Sequence, residues 1–481
     1  MREKFEKVLD YLQGQGVDYA DVRYVDRNTE SITTEDLKLQ ELQNMRSEGV
    51  GIRVYLDGSM GFAGSRDLNK LKETADQALA IARASKSVQK KRVRLAQKEV
   101  IVDHYQTPFK IDPFQVSTKE KLDLLMAAEG EMKGAAQLHQ TKGFMDFQKE
   151  KKVFADTEGS YIVQDLIEAG GGIEARALGN NDLQVRSFPI SFRGNRVTSG
   201  YEIIEELDLV ENAAKTARET SELARAEECP SGKYDLVLDS TQLVLQIHES
   251  IGHPIELDRV FGAEAAYAGT SFVNIDMIDH FQYGSKLVNV VADATVPGGL
   301  GTFGYDDEGV PATRTEIITG GVFKNFLTSR DTASQLNQKS NGTSRADGWH
   351  NIPIVRMTNI NLLPGNLEFE ELLADIDYGL YFLTNKSWSI DDRRVNFQFG
   401  CEIAYEIKNG KLTGKIYKNP VYTGITPQFW NSCDGICNED YWRLYGVPNC
   451  GKGQPGQSAH VGHGAAPARF RKVKVGVKDV K

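Results

Sequence analysis

The hydrophobic rhythm of the chain changes at Cys229-Pro230, and that change constrains the fold more than any other feature. Before it, helical and strand-like patterns are mixed. Phe5, Val8, Leu9 and Leu12 make an apolar stripe on a first helix, and GVGIRVYL and SMGFAGS read as strands joined through Asp57-Gly58. DLNKLKETADQALAIARA is a second helix; the polar stretch from 85 to about 112 then holds one short strand, VIVDHY, and leads to a helix over about 117–136. Residues 141–192 alternate as strands do, and 201–228 read as helix. After Pro230, KYDLVLDS opens a region of short strands and glycine turns, with hairpins expected at Gly320-Gly321 and Asn409-Gly410.

The pattern predicts an α+β chain. A mixed α/β domain spans 1–228, with a possible subdivision near 86–115, and a β-rich domain carrying the metal-site helix spans 229–481. Two or three domains are also what 481 residues require, because a single core of ordinary size stops growing well below that length.

Charge and cysteine usage narrow the function. A net charge of -10 disfavours nucleic acid as a primary ligand. The one basic cluster, Lys90, Lys91, Arg92 and Arg94, lacks aromatic neighbours for base stacking and reads as a solvated linker. No apolar run is long enough to span a bilayer, and the amphipathic N-terminus is not a signal peptide, so a cytoplasmic protein is expected. Five cysteines, an odd and sparse set, suit a reducing compartment in which thiols are free to bind metal.

The residues that carry chemistry lie in TQLVLQIHESIGHP. Ser240 or Thr241 can cap a helix on which Val244, Ile247, His248 and Ile251 share one stripe, so His248 points inward. Glu249 follows it, and His253 lies five positions on. The usual zinc-peptidase helix spaces its histidines by four, with the intervening glutamate as base. Five residues on a regular helix place the second imidazole about 140° around the axis, too far for joint ligation. A π-bulge, or a helix that ends at the second histidine, restores the geometry. Gly252 and Pro254 supply the means, so a distorted or terminating helix is predicted at 252–254.

A catalytic zinc takes three protein ligands and keeps a fourth position open. Glu256 and Asp258 are near in sequence; Cys450, in the glycine-rich GVPNCGKGQPGQ, is the thiolate candidate. Rival chemistries have weaker support. Gly299 to Gly304 spells a dinucleotide fingerprint, but no helix follows it, and a turn is expected. Asp306, Asp307 and Glu308 read as a solvated or structural turn, and no Gly-x-Ser-x-Gly elbow occurs.

HESIGHPIELDRV, the segment VPGGLGTFGYDDEGVPATRTEIITGGVFKNFLTSR, RMTNINLLPG and NCGKGQPGQ together resemble the TldD/PmbA metallopeptidases, once described as modulators of DNA gyrase. The likeness extends to VDYADVRYVDRNTESI and GVGIRVYLDGSMGFAGS and covers most of the chain. It implies one zinc ion per chain held by His248, His253 and Cys450, with Glu249 as general base. It also implies a peptidase acting on unfolded or small peptides, either as a homodimer or as a heterodimer with a motif-lacking paralogue. Cys433, Cys437, His460 and His463 depart from the common pattern and are expected to be packing and loop residues. The alternative from another class is a non-catalytic, metal-stabilised binding or regulatory partner.

Overall fold

The computed structural model describes residues 1–89, 91–179 and 182–476. The chain is mixed α/β with a β-rich C-terminal half, as expected. Lys90 lies outside the described residues; Arg92 and Lys91 are exposed, and Lys91 Nζ donates to Gln335 at 2.7 Å.

One large sheet organises the N-terminal half. Its strands run in the order Ser59–Ser65, Lys38–Leu56, Tyr19–Glu35, Gln140–Asp156, Tyr161–Leu178 and Val102–Gln106, so residues on both sides of 86–115 share it. Helices Arg2–Gly14 and Leu71–Ser85 bury Phe5, Val8, Leu9 and Leu12 with Ala75, Ala78 and Leu79 against Ala20, Val22 and Tyr24. Thr118–Ala135, capped by the Ser117 hydroxyl, packs with Leu209–Leu223 over Met145, Phe147 and Ile173. The helix expected over 201–228 is two helices, Glu202–Glu206 and Leu209–Leu223, because Asp208 turns left-handed between them (φ +48°).

Strand Tyr19–Glu35 opens with residues buried on both faces, which marks a sheet covered on two sides. Period-two alternation sends Ala20, Val22 and Tyr24 to the helices and Asp21 and Arg23 to the opposite face, where the C-terminal half docks. There Arg53 bridges Asp21 (2.7 Å) and Glu308 (2.8 Å), and Lys152 reaches Asp307 at 3.2 Å. The acidic trio is therefore structural and buried, not solvated: Asp306 also accepts from the backbone N–H groups of Glu308 and Val310, both at 2.9 Å.

The C-terminal half is built on an eight-stranded sheet. Strands Tyr378–Ile390, Gly232–Leu238, Ala468–Val475, Val421–Ile425 and Asn396–Lys408 pair in that order, and the last pairs back to the first, closing a ring. A smaller sheet holds Arg314–Thr319, Val290–Asp293 and Ile360–Leu362, and a two-stranded arm pairs Arg443–Lys452 with Gln457–Ala465. The three expected two-residue turns each place both residues left-handed: Asp57-Gly58 (φ +52° and +76°), Gly320-Gly321 (+55° and +79°) and Asn409-Gly410 (+50° and +72°). That geometry matches the right-handed twist of the flanking strands. The 299–304 segment is a turn packed on Thr358 and Asn359 with no following helix, as expected. No helix among the described residues is long and apolar enough to cross a membrane.

Candidate metal centre

Strand Gly232–Leu238 delivers the chain to Asp239, whose carboxylate accepts the Thr241 N–H at 2.9 Å and starts helix Ser240–Ile247. The cap is thus Asp239, one residue ahead of Ser240 and two ahead of Thr241, the two caps expected. At His248 the helix widens into a π-turn, His248–Gly252, in which the His253 N–H bonds the His248 carbonyl. A short 3-10 turn, His253–Ile255, follows, and Glu256 is extended. The distortion therefore begins four residues before the predicted 252–254.

Local chemistry accounts for this turn. Pro254 has no N–H to offer the Ser250 carbonyl, its partner in a regular helix; the buried Tyr283 hydroxyl donates to that carbonyl instead. Trp430 Nε1 holds the Ser250 hydroxyl at 2.9 Å. Gly252 packs so tightly on Met357 that a Cβ would lie 2.1 Å from its sulfur.

The result brings His248 and His253 face to edge, ring centroids 4.8 Å apart and planes at 89°. Cys450 arrives from the two-stranded arm. It lies on strand Arg443–Lys452, just after a bulge at Val447, rather than in a free loop, and its carbonyl accepts from the buried Arg356 guanidinium. His248, His253 and Cys450 each direct one donor atom into a region in which all three lie within 4.8 Å of one another. Cys450 Sγ is 3.8 Å from His253 Nε2. A tetrahedral zinc with ordinary bond lengths sets its nitrogen and sulfur ligands roughly 3.6 Å apart, so the spacing fits.

Hydrogen-bond direction fixes which nitrogens are free. His253 Nδ1 lies 3.0 Å from the Glu256 carboxylate, which can only accept, so Nδ1 carries the proton and Nε2 keeps its lone pair. His463 Nδ1 lies 3.1 Å from the Ile360 carbonyl, also an acceptor only. Burial holds His463 neutral by pushing its pKa well below the usual value, so its Nε2 is an acceptor. That nitrogen is 2.8 Å from His248 Nδ1, which must then donate. Both ring Nε2 atoms are left as bases. Burial also lowers the pKa of His248 and His253.

Cys450 differs from every other cysteine in the chain. Burial pushes its thiol up, but the Arg356 charge and His253 outweigh that, and its pKa falls below the ordinary value. Burial instead drives Cys229, Cys433 and Cys437 up to about 12, and raises Cys401 well above its ordinary value.

The remaining sequence candidates lie elsewhere. Glu256 supports His253 and lies 3.5 Å from Lys452 Nζ; Asp258 accepts from the same lysine at 2.6 Å. Cys433 and Cys437 are packed in the C-terminal core, and His460 pairs with Glu168 at 2.7 Å. His463, expected as a loop residue, is instead the buried partner of His248. Glu249, adjacent to the three donors in a cleft of about 380 Å³, meets Arg394 Nη1 at 2.5 Å. Arg394 bears no signal in its own neighbourhood of the sequence; Arg356 opens the RMTNINLLPG segment that carries the resemblance, but nothing in that segment points to Cys450.

Comparison with known proteins assigns nearly the whole chain. Residues 20–82 match the PmbA/TldA metallopeptidase domain 1, residues 111–226 the central domain, and residues 231–477 the C-terminal domain. A metalloprotease of Methanocaldococcus jannaschii is 30% identical over 470 residues, covering 97% of this chain and 98% of that protein. A metalloprotease TldD homolog of Buchnera aphidicola subsp. Schizaphis graminum is 26% identical over 471 residues, covering 96% and 93%. Among solved structures, a protein described as a modulator of a DNA gyrase from Thermotoga maritima superimposes with a TM-score of 0.77 at 19% identity, over 99% of this chain and 100% of that one. TldE from Thermococcus kodakarensis gives 0.72 at 15% identity, over 98% and 100%. These two structural likenesses bear on the fold.

Proposed function

The chain belongs to the PmbA/TldD metallopeptidase family and is a peptide-bond hydrolase, and from that premise we propose that it holds one zinc ion through His248 Nε2, His253 Nε2 and Cys450 Sγ, with Glu249 as general base. One observation carries the reading: both imidazoles have Nδ1 committed as donor, so two ring lone pairs and the one acidified thiol of the chain converge on a single point. Two nitrogens and a sulfur suit zinc, although the donor set alone admits neighbouring divalent metals.

Zinc bound there supplies Lewis acidity, making water acidic enough to attack and a carbonyl electrophilic enough to receive it near neutral pH. The protein does the rest. Glu249 accepts the proton of the attacking water and delivers it to the amide nitrogen as the C–N bond breaks, giving a carboxylate and an amine with no covalent enzyme intermediate. Glu256 and His463, through their hydrogen bonds, hold the two imidazoles in the required tautomers.

The donors are only 2–4% exposed, at the base of the cleft. That depth supports substrates that can enter as an extended segment, namely unfolded or small peptides. Phe192 and Trp388, in edge contact at 5.8 Å, give the cleft an apolar wall for a substrate side chain. A dimer, of like chains or with a motif-lacking paralogue, acting in the cytoplasm completes the reading. A structural zinc would ask for a fourth protein ligand, and the converging group among the described residues has three members.

The test combines metal analysis with cleavage of an unstructured peptide before and after chelation. One zinc per chain and loss of cleavage on chelation, restored by zinc, are expected. Cleavage that survives complete metal removal overturns the reading.

A further inference from the structure

Arg394 sits in the turn between strands Tyr378–Ile390 and Asn396–Lys408, with its backbone left-handed at φ +65°. A long, non-glycine side chain rarely adopts that conformation, and it persists only where surroundings over-determine it. Here they do. The Asp391 carboxylate accepts from the N–H groups of Arg393 (3.0 Å), Val395 (2.9 Å) and Asn396 (2.9 Å). The Arg394 N–H donates to the Asp391 carbonyl at 2.8 Å, and its own carbonyl accepts from the Thr426 hydroxyl at 2.8 Å.

This fixed backbone sends the guanidinium into the cleft beside the three donors. Among the described residues its one polar partner is Glu249, met through Nη1 at 2.5 Å, while the Nε N–H is buried with no acceptor. The other amino group, Nη2, makes no hydrogen bond among the described residues and is not sealed off as Nε is, so it is the donor open to a ligand atom in the cleft. Simple neutralisation of Glu249 requires neither the strained backbone nor the empty donor.

We propose that Arg394 is a catalytic residue: while one edge of its guanidinium contacts Glu249, the rest binds the oxygen of the scissile carbonyl and stabilises the negative charge that develops there. This rests on the function proposed above. As water adds to the carbonyl carbon, the C=O π pair moves onto the oxygen beside Arg394, and the proton lost by water goes to Glu249. Collapse returns that pair to the carbonyl, breaks the C–N bond and sends the proton to the departing nitrogen. A preorganised donor at a developing oxyanion contributes about 10²–10³-fold in rate.

The experiment compares wild type, R394A, R394K, E249Q and E249Q/R394A on an internally quenched unstructured peptide. It also measures the affinity of a phosphinic peptide, whose tetrahedral anion mimics the adduct, and of zinc by chelator competition. For R394A a fall in kcat of about 10²–10³-fold is expected, with KM and zinc affinity within about threefold. The phosphinic peptide should weaken by a similar factor, and the double variant should fall further below E249Q. Should R394A lose zinc, R394K carries the comparison, since it keeps the charge and loses the fork; it should weaken the phosphinic peptide at least tenfold. Equal phosphinic-peptide affinity in wild type and the Arg394 variants, or no further loss in the double variant, overturns this assignment alone. Cleavage by wild type that survives chelation overturns the proposed function and this assignment together.

Discussion

His463 accepts a hydrogen bond from His248 across 2.8 Å while donating its other ring nitrogen to the Ile360 carbonyl. The relay dictates which nitrogen of His248 is left free for the proposed metal. Glutamine can both accept and donate in that position; leucine can do neither and strands the buried His248 N–H. His463→Leu is therefore expected to weaken zinc binding about 10–100-fold, and His463→Gln by no more than a few-fold. Chelator competition reads the difference, and equal losses in the two variants would remove the relay from the account.

Glu249→Gln keeps the shape of the side chain and removes its basicity. The variant is expected to bind zinc as wild type does and to lose about 10²–10⁴-fold in kcat, measured on an unstructured peptide at saturating substrate. Substantial activity would take Glu249 out of its role.

Cys450→Ala should abolish stoichiometric zinc, whereas Cys433→Ala, in the packed core, should leave the metal content unchanged. Elemental analysis of the purified variants is sufficient. Full occupancy in Cys450→Ala would move the third ligand elsewhere.

Acid stability offers a test away from the metal. Glu202 is buried, which pushes its pKa up, but it accepts from the Lys110 and Ile111 N–H groups, both at 3.0 Å, and from Ser199; the net result is a pKa of about 2 against an ordinary 4.5. A carboxyl depressed on folding stabilises the protein above pH 4.5, and that stabilisation is lost as pH falls from about 4.5 to about 2. Its size is on the order of 3 kcal/mol. Glu202→Gln should lower stability at pH 7 and flatten the acid limb over that window, as read by urea unfolding at stepped pH. An unchanged acid limb contradicts the assignment.

Much of this was legible in the residues. Apolar stripes and turn dipeptides expose their partners locally, within one helix turn or one hairpin. Gly252 and Pro254 likewise announced a distorted helix, although not that it starts at His248. The missing information is long-range. His463 meets His248 only because the arm Arg443–Lys452 and Gln457–Ala465 pairs Tyr445 with His463 and lies against strand Ile360–Leu362. For Asp307 and Glu308 the residues left a solvated and a structural turn equally open, because Lys152 and Arg53, which pair with them, come from the other half of the chain. Arg394 reaches Glu249 from a turn whose own residues explain its conformation but not its target.

The central claim is that two imidazoles and one thiolate share a single ion. X-ray absorption at the zinc edge of the loaded protein measures it directly. The account predicts one sulfur at about 2.3 Å and two imidazole nitrogens at about 2.0–2.1 Å, with the sulfur lost in any residual zinc bound by Cys450→Ala. A shell of nitrogen and oxygen alone in the wild type would contradict it.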